Sequence, residues 1–353
     1  MKICLTGGGT AGHISPNLAL LPEIRKYFDK IIYIGGINSM EKKMLKNEKD
    51  VKFYEIHTAK LVRKSIFKNI KLPFNLIKGI LDSKKILKAE RPDVIFCKGG
   101  YVSVPVMIAA KQQKIPLFCH ESDLSLGLAN KIVSKYALKT FTSFKETSQN
   151  IKSGVYSGPI IKKEIIMQTK TAALKNLNIK TSKPVLLITG GSLGAKKIND
   201  TIFSCIDSLT KDYYVLHIIG KTHPPNIKNN NYKVISFTDH MEDYIAAADY
   251  IVSRAGSNTI FELLLKQKPM LLIPLKKGSR GDQIENAKLF ESKGFCMVLD
   301  EDNLNNKSLI NNLNKLKNSA DKIIKNQSNY NLPNGTDVIM HHLKNVILQN
   351  KKA

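Results

Sequence analysis

Two glycine-rich turns, Gly7-Gly8-Gly9-Thr10-Ala11-Gly12 and Gly190-Gly191-Ser192-Leu193-Gly194, each follow a short apolar run. Such a turn between a buried strand and a helix presents backbone N–H groups and the positive end of a helix dipole. Phosphate or a developing oxyanion is stabilised there. In the second turn Gly191 and Gly194 permit close approach, and Ser192 adds a hydroxyl donor. Glycines also allow tight packing of helix on sheet without a ligand, so either turn alone leaves both readings open. No GxGxxG with a well-placed acid about 20 residues on is evident, and GxxxxGK[ST] does not occur.

The first turn runs into Gly12-His13-Ile14-Ser15-Pro16. A histidine at a strand's C-terminal end, beside a helix start, accepts or donates a proton near neutral pH; its alternative is to cap backbone groups. Lys98-Gly99-Gly100-Tyr101-Val102-Ser103 and His120-Glu121-Ser122-Asp123 follow further strand-like runs. Glu121 and Asp123 are paired carboxylates suited to orienting hydroxyls or removing a proton, or equally to capping a helix near Gly127. Ser253-Arg254-Ala255-Gly256-Ser257-Asn258-Thr259 leads into a helix with Glu262 one turn inside, where a carboxylate accepts from a ribose diol or complements the helix dipole. Asp282, Gln283 and Asn286 supply acceptors and amide donors for sugar hydroxyls.

Positioning these groups requires parallel sheets. Short β-branched runs alternate with helical patterns, the signature of βαβ units. Strands are predicted at Lys2–Thr6, Lys30–Ile34, Val94–Cys97, Pro116–His120 and Lys139–Thr142, and the pattern restarts at Pro184–Thr189. It continues near Tyr214–Ile219, Lys233–Phe237, Tyr250–Ser253, Met270–Pro274 and Phe295–Leu299. The expected fold class is α/β, with two Rossmann-like doubly wound domains separated by a cleft. The linker is placed near Ser157-Gly158-Pro159, giving one domain of residues 1–157 plus 332–353 and another of 158–331. After an asparagine- and lysine-rich region, Asn303–Asn331, a helical pattern returns at Asp337–Leu348 and is a candidate to pack back on the first domain.

The chain has 353 residues, and its 55 Lys and Arg against 29 Asp and Glu give a formal charge of +26. That excess favours an anionic partner: nucleic acid, an acidic membrane surface or a phosphorylated substrate. Five scattered cysteines show no CxxC pairing and read as buried thiols of a cytosolic protein. The opening apolar stretch is too short for a signal-peptide core, and no run approaches the ~20 residues that span a bilayer. Membrane contact is therefore expected to be peripheral.

Six motifs stand in a shared order: Thr6–His13, Gly99–Ser103, His120–Asp123, Gly190–Ala195, Ser253–Ser257 and Asp282–Ala287. By them the chain resembles the bacterial peptidoglycan N-acetylglucosaminyltransferases that make lipid II, from Ile3 to about Asn286. The resemblance implies a GT-B fold, an N-terminal acceptor- and membrane-binding domain, a C-terminal UDP-sugar domain and a final helix crossing back to the first. It implies inverting transfer of N-acetylglucosamine from UDP-N-acetylglucosamine to the C4 hydroxyl of the lipid-linked muramoyl-pentapeptide, lipid I. Gly191, Ser192 and Gly194 would hold the diphosphate, Glu262 the ribose, and Thr238 with Met241 the uracil. Arg254, Gly256 and Ser257 join this substrate-binding set, and Asp282, Gln283 and Asn286 would hold the sugar. Thr10, Gly12, His13, Tyr101, His120 and Glu121 would line the acceptor and reaction side. His13 is the preferred base, with Glu121 or Asp123 as alternatives or orienting groups.

Two positions depart from the family pattern. Asp123 stands where asparagine is frequent, and Gly158-Pro159-Ile160-Ile161 lacks the arginine of Asn-Pro-Val-Arg, leaving Lys162 or Lys163 as the nearby charge. No metal ligands are assigned. Asp300-Glu301-Asp302 reads as a solvated loop, no cofactor is required, and a divalent cation acts at most as a stimulant.

Between Lys60 and Arg91, ten basic residues face two acids, Asp82 and Glu90, and are interleaved with apolar residues including Ile70, Phe74, Ile77 and Leu81. Composition alone favours a charged solvent face over a buried stripe. The lipid-linked acceptor implied by the resemblance favours peripheral binding to the anionic cytoplasmic face of the cell membrane. Cell-wall synthesis proteins are further candidate partners, and no nucleic acid is expected. Competing functions are another GT-B glycosyltransferase, a UDP-N-acetylglucosamine epimerase, and a noncatalytic basic membrane or nucleic-acid binder.

Overall fold

A computed structural model describes residues 1–58, 70–191, 194–276 and 280–350, the side chains of 347–350 excepted. The chain divides into two compact units, residues 1–161 with 332–353, and residues 162–331.

The first unit carries β1 (Lys2–Thr6), α1 (Ala11–Ile24), β2 (Lys30–Gly36), α2 (Met40–Met44), β3 (Val51–Ile56) and α3 (Leu72–Glu90). β4 (Val94–Cys97), α4 (Ser103–Gln112), β5 (Leu117–Glu121), α5 (Leu128–Val133), β6 (Lys139–Thr142), α6 (Lys145–Gln149) and β7 (Gly154–Tyr156) follow. All strands pair in parallel, in the order β3-β2-β1-β4-β5-β6-β7. Side chains alternate across the sheet: Ile3 and Leu5 enter the core on one face, while Cys4 joins Cys97 and Cys119 on the other. Burial of both faces is why these strands read as continuous apolar runs.

The second unit contains α7 (Lys163–Met167), α8 (Lys170–Asn176), β8 (Val185–Thr189), α9 (Lys196–Asp212), β9 (Tyr214–Ile218) and β10 (Tyr232–Ile235). It continues with α10 (Met241–Ala247), β11 (Tyr250–Ser253), α11 (Ser257–Leu265), β12 (Met270–Leu272), α12 (Asp282–Ser292), β13 (Met297–Val298) and α13 (Asn306–Ser328). Its parallel sheet has the order β10-β9-β8-β11-β12-β13. The chain then returns to the first unit as α14 (Gly335–Asn350), which buries Ile339, Met340 and Leu343 in the core that contains Ile3 and Leu5.

Three elements escaped the sequence reading. β3 is an edge strand with exposed Lys52 and Glu55, and β7 spans only three residues, so neither shows a sustained apolar pattern. Within the asparagine- and lysine-rich region, α13 places Leu309, Leu313, Leu316, Ala320 and Ile323 on one buried face. Its start is set by a capping box in which the Asn305 side chain accepts from the Ser308 N–H and the Ser308 hydroxyl accepts from the Asn305 N–H.

Candidate active site

In each sheet the strand order reverses between the first strand and its later neighbour, β1/β4 and β8/β11. Open parallel sheets bind ligands at that point, outside the carboxyl ends of the strands.

At the β1/β4 switch the two glycine segments interlock. The Gly8 N–H donates to the Gly99 carbonyl at 3.3 Å. Gly100 has φ +83°, and a methyl group there would lie 2.2 Å from the Gly8 carbonyl oxygen, so only glycine fits. A methyl on Gly9 would meet the Tyr101 ring at 2.5 Å, which seats that half-buried tyrosine against the turn. Thr10 is the residue before α1; its hydroxyl does not cap the helix but lies 2.8 Å from His13 Nδ1. Glu41 in α2 is buried, and its carboxylate accepts from the Gly36 N–H at 3.2 Å and the Gly9 N–H at 3.5 Å. An acid already occupies part of this turn, which disfavours a phosphate on the Gly9 amide.

One strand further, His120 and Glu121 project to opposite sides of β5. His120 is fully buried, neither ring nitrogen has a hydrogen-bond partner among the described residues, and burial with nearby Lys98 holds its pKa well below the usual imidazole value. The neighbouring Gly158 backbone pushes the pKa the other way without reversing the shift. The expected place of His120 on the acceptor surface is thus corrected: the pleat of β5 turns it into the protein. Glu121 Oε1 accepts from the Asp123 N–H at 3.1 Å, and Oε2 from the Gly127 N–H at 2.9 Å and Asn130 Nδ2 at 3.0 Å. Burial first, then Asp123, raise its pKa, and Lys98 opposes them. With both oxygens engaged, Glu121 holds the 122–127 loop and is poorly placed to take a substrate proton. Asp123, on that loop, is partly exposed.

In the second unit, Gly191 has φ +81° and Gly256 precedes α11; a methyl on either would meet nothing within 4 Å. The starts of α9 and α11 receive no side-chain cap, so their first N–H groups flank the β8/β11 switch as donors. Gly194 (φ +79°) has a packing role instead, since a methyl there would lie 2.3 Å from the Ile219 carbonyl oxygen. Ser192 lies outside the described residues. Glu262 in α11 is partly buried, and its pKa is raised to about 7 by burial, with Lys162 opposing and Glu242 reinforcing the shift.

Arg254 also needs correction. Its guanidinium is buried, donating to the Ile273 carbonyl at 3.1 Å and pairing with Glu301 at 2.5 Å. It ties the loop after β11 to the end of β12 and to the segment after β13, and is not presented to a ligand. Asp282 accepts from the Arg280 N–H at 3.0 Å, Gln283 Oε1 accepts from the Leu275 N–H at 3.0 Å, and Asn286 is fully buried. Thr238 Oγ1 accepts from the His240 N–H at 3.0 Å just before Met241 opens α10. Asp300 and Asp302 each reach Lys276 at 2.7 Å, and Lys197 donates to the Glu301 carbonyl. Among the described residues, no three His, Cys, Asp or Glu side chains cluster as a metal site.

Two groups were missing from the sequence-derived site. Glu41 gives no local signal, since only the fold brings α2 to the first glycine turn. Lys98 does give one: a cation directly ending the apolar run Val94–Cys97.

Two parallel sheets, each with a glycine turn at its switch point, are the architecture of the GT-B class. Residues 3–142 match the glycosyltransferase family 28 N-terminal domain and residues 185–342 its C-terminal domain. A UDP-N-acetylglucosamine--N-acetylmuramyl-(pentapeptide) pyrophosphoryl-undecaprenol N-acetylglucosamine transferase of Clostridium botulinum (strain Alaska E43 / Type E3) is 45% identical over 96% of both chains. A Clostridium tetani protein of the same name is 41% identical, again over 96% of both chains. In fold, the crystal structure of Acinetobacter baumannii MurG superposes with a TM-score of 0.75 at 21% identity, covering 98% of this chain and 99% of that one. The chain belongs to this family of peptidoglycan N-acetylglucosaminyltransferases.

Proposed function

We propose that the chain transfers N-acetylglucosamine from UDP-N-acetylglucosamine to the C4 hydroxyl of undecaprenyl-diphospho-N-acetylmuramoyl-pentapeptide, forming lipid II with inversion. The observation that carries this reading is the near-full-length 45% identity to a transferase of that name, joined to the glycine turns at both switch points. The acceptor oxygen forms a bond to the anomeric carbon as the bond from that carbon to the UDP oxygen breaks. With Nδ1 bonded to Thr10, His13 takes the hydroxyl proton at Nε2. The N-termini of α9 and α11 stabilise the negative charge on departing UDP. Glu262 accepts from the ribose hydroxyls, and Asp282 and Gln283 at the start of α12 position the sugar, whereas Asn286, fully buried, is withdrawn from that set. Asp123, rather than Glu121, is the carboxylate offered to the acceptor. No metal is assigned, and activity is expected to persist in a chelator.

The acceptor's lipid tail calls for a membrane-facing surface, and α3 supplies one. Its packed face is small, Gly79, Ser83 and Leu87, whereas Phe74 (67%), Ile77 (56%) and Leu81 (58%) are exposed. Exposed Lys71, Lys78, Lys85 and Lys88 surround them. Apolar residues on the solvent side contradict a simple charged face over a buried stripe and favour shallow insertion into an anionic surface, each cation adding about 1 kcal/mol. The upstream part of this segment, 59–69, lies outside the described residues. Among the described residues, no helix is long and apolar enough to cross a membrane.

The deciding experiment incubates labelled UDP-N-acetylglucosamine with a lipid I analogue. A disaccharide product plus UDP supports the proposal. Isomerisation of UDP-N-acetylglucosamine without acceptor, or no sugar chemistry at all, overturns it.

A further inference from the structure

Asp300-Glu301-Asp302, expected as a solvated loop, is a turn just after β13 that gathers donors from three neighbouring segments of the second unit. Asp300 Oδ1 accepts from the Asp302 N–H at 2.8 Å, which sets the turn. Glu301 Oε1 pairs with the Arg254 guanidinium at 2.5 Å, and the two side chains are only 13% and 10% exposed. Glu301 Oε2 accepts from the Lys276 N–H at 3.5 Å. The Lys276 ammonium lies 2.7 Å from both Asp300 and Asp302, and Lys197 donates to the Glu301 and Asp302 carbonyls. Each donor stands beside a switch-point segment: Arg254 before Gly256 and α11, Lys197 in the first turn of α9, Lys276 after β12.

We propose that Glu301 is a positioning residue for the donor diphosphate: through Arg254 it fixes the turn that aims the first N–H groups of α11. This rests on the reading of the β8/β11 switch as the UDP site. Gly256 leaves that turn open, since a methyl there would meet nothing within 4 Å, and no side chain caps the helix. The turn is held from its base instead. Arg254 Nη1 donates to the Ile273 carbonyl at 3.1 Å and Nη2 donates to Glu301, so one planar guanidinium joins the segments that follow β11, β12 and β13. Removing the Glu301 charge would leave a buried guanidinium unpaired, a penalty the loop relieves by moving, and the N–H donors move with it. Arg254 and Lys276 are both paired within this turn, and so act on the phosphates only through the loops they anchor.

The test compares UDP with uridine, which lacks the diphosphate, as ligands of the full chain, by calorimetry for UDP and ligand-observed NMR for uridine. Wild type should bind UDP far more tightly than uridine. Glu301→Gln should weaken UDP by about tenfold or more while uridine changes by less than about twofold. A merely structural role would lower both affinities together. Arg254→Gln should show the same selective loss, and the double variant should lose no more than about twofold beyond either single one, because each breaks the same link. UDP binding that is unchanged or tighter in Glu301→Gln overturns the proposal. So does an additive loss in the double variant, or parallel loss of UDP and uridine in a variant with wild-type circular dichroism. Nitrogen-15 labelling of arginine in wild type gives a readout that needs no variant to fold. The Arg254 guanidinium signals should keep their positions when UDP binds; a large shift, as direct phosphate contact requires, overturns the proposal. A wild type that binds UDP no better than uridine sinks the donor-site reading and the proposal with it, whereas the other adverse results leave that reading standing.

Discussion

Thr10 Oγ1 and His13 Nδ1 lie 2.8 Å apart across the first turn of α1, so the residue that would ordinarily cap the helix orients an imidazole instead. A hydroxyl used in this way leaves the helix start without its side-chain cap, a cost commonly about 1 kcal/mol. That sacrifice is understandable where ring orientation has catalytic value.

Replacing His13 with Ala should lower kcat by about a hundredfold or more with little change in donor KM, as expected for loss of a general base. Thr10→Val should lower kcat by only about tenfold, since one orienting hydrogen bond is lost. Steady-state kinetics with saturating acceptor checks both; near-normal turnover of His13→Ala would remove His13 from the mechanism.

On the proposed ribose-binding role of Glu262, its pKa, raised to about 7 by burial, should make donor binding pH-dependent. A carboxylate accepting ribose hydroxyls must be ionised, so protonation as pH falls through about 7 weakens the contact. Donor KM should therefore rise below pH 7 in wild type, and Glu262→Gln should show a higher but flatter KM. Measurement of KM for UDP-N-acetylglucosamine from about pH 6 to 8.5 tests this.

His217 lies buried between Tyr232 Oη at 3.0 Å and Asn199 Oδ1 at 3.1 Å, and burial lowers its pKa to about 3. Because the unfolded chain binds the proton more readily, this group's stability contribution is present above its unfolded pKa, about 6.5. It is lost progressively as pH falls toward 3, on the order of 5 kcal/mol in all. Urea unfolding of His217→Gln should show a shallower loss over that window than wild type; identical slopes would refute the assignment.

Changing Phe74, Ile77 and Leu81 together to Asp should reduce sedimentation with anionic vesicles by about tenfold or more, since three apolar side chains and the local charge balance are lost. Their exposure means that folding should be little affected, and a water-soluble acceptor analogue should be turned over within about threefold of wild type. Unchanged vesicle binding would move the membrane contact elsewhere.

Much of the architecture was legible because it is local. An apolar run, a glycine turn and a helical pattern lie within a few tens of residues, so β1, β4, β6, β8 and β11 could be located from the chain alone. Strands β3 and β7 were not, since β3 exposes Lys52 and Glu55 and β7 has only three residues. The ordered motifs likewise carried the family assignment, and 45% identity to a named transferase agrees with it.

Local pattern determined which residues end each strand; tertiary structure alone decided where their side chains point. His120 and Glu121 are neighbours in sequence, yet the β5 pleat buries one without a hydrogen-bond partner among the described residues and sets the other against three N–H donors. Arg254 looked like a ligand contact until Glu301, 47 residues away, emerged as its partner. Glu41 reaches the first glycine turn only because β2 lies beside β1. On α3 the apolar residues were visible from the start, but packing on Gly79, Ser83 and Leu87 turned Phe74, Ile77 and Leu81 outward. Chain-local spacing encodes the period of an element, whereas its facing is set by whichever distant surface it buries.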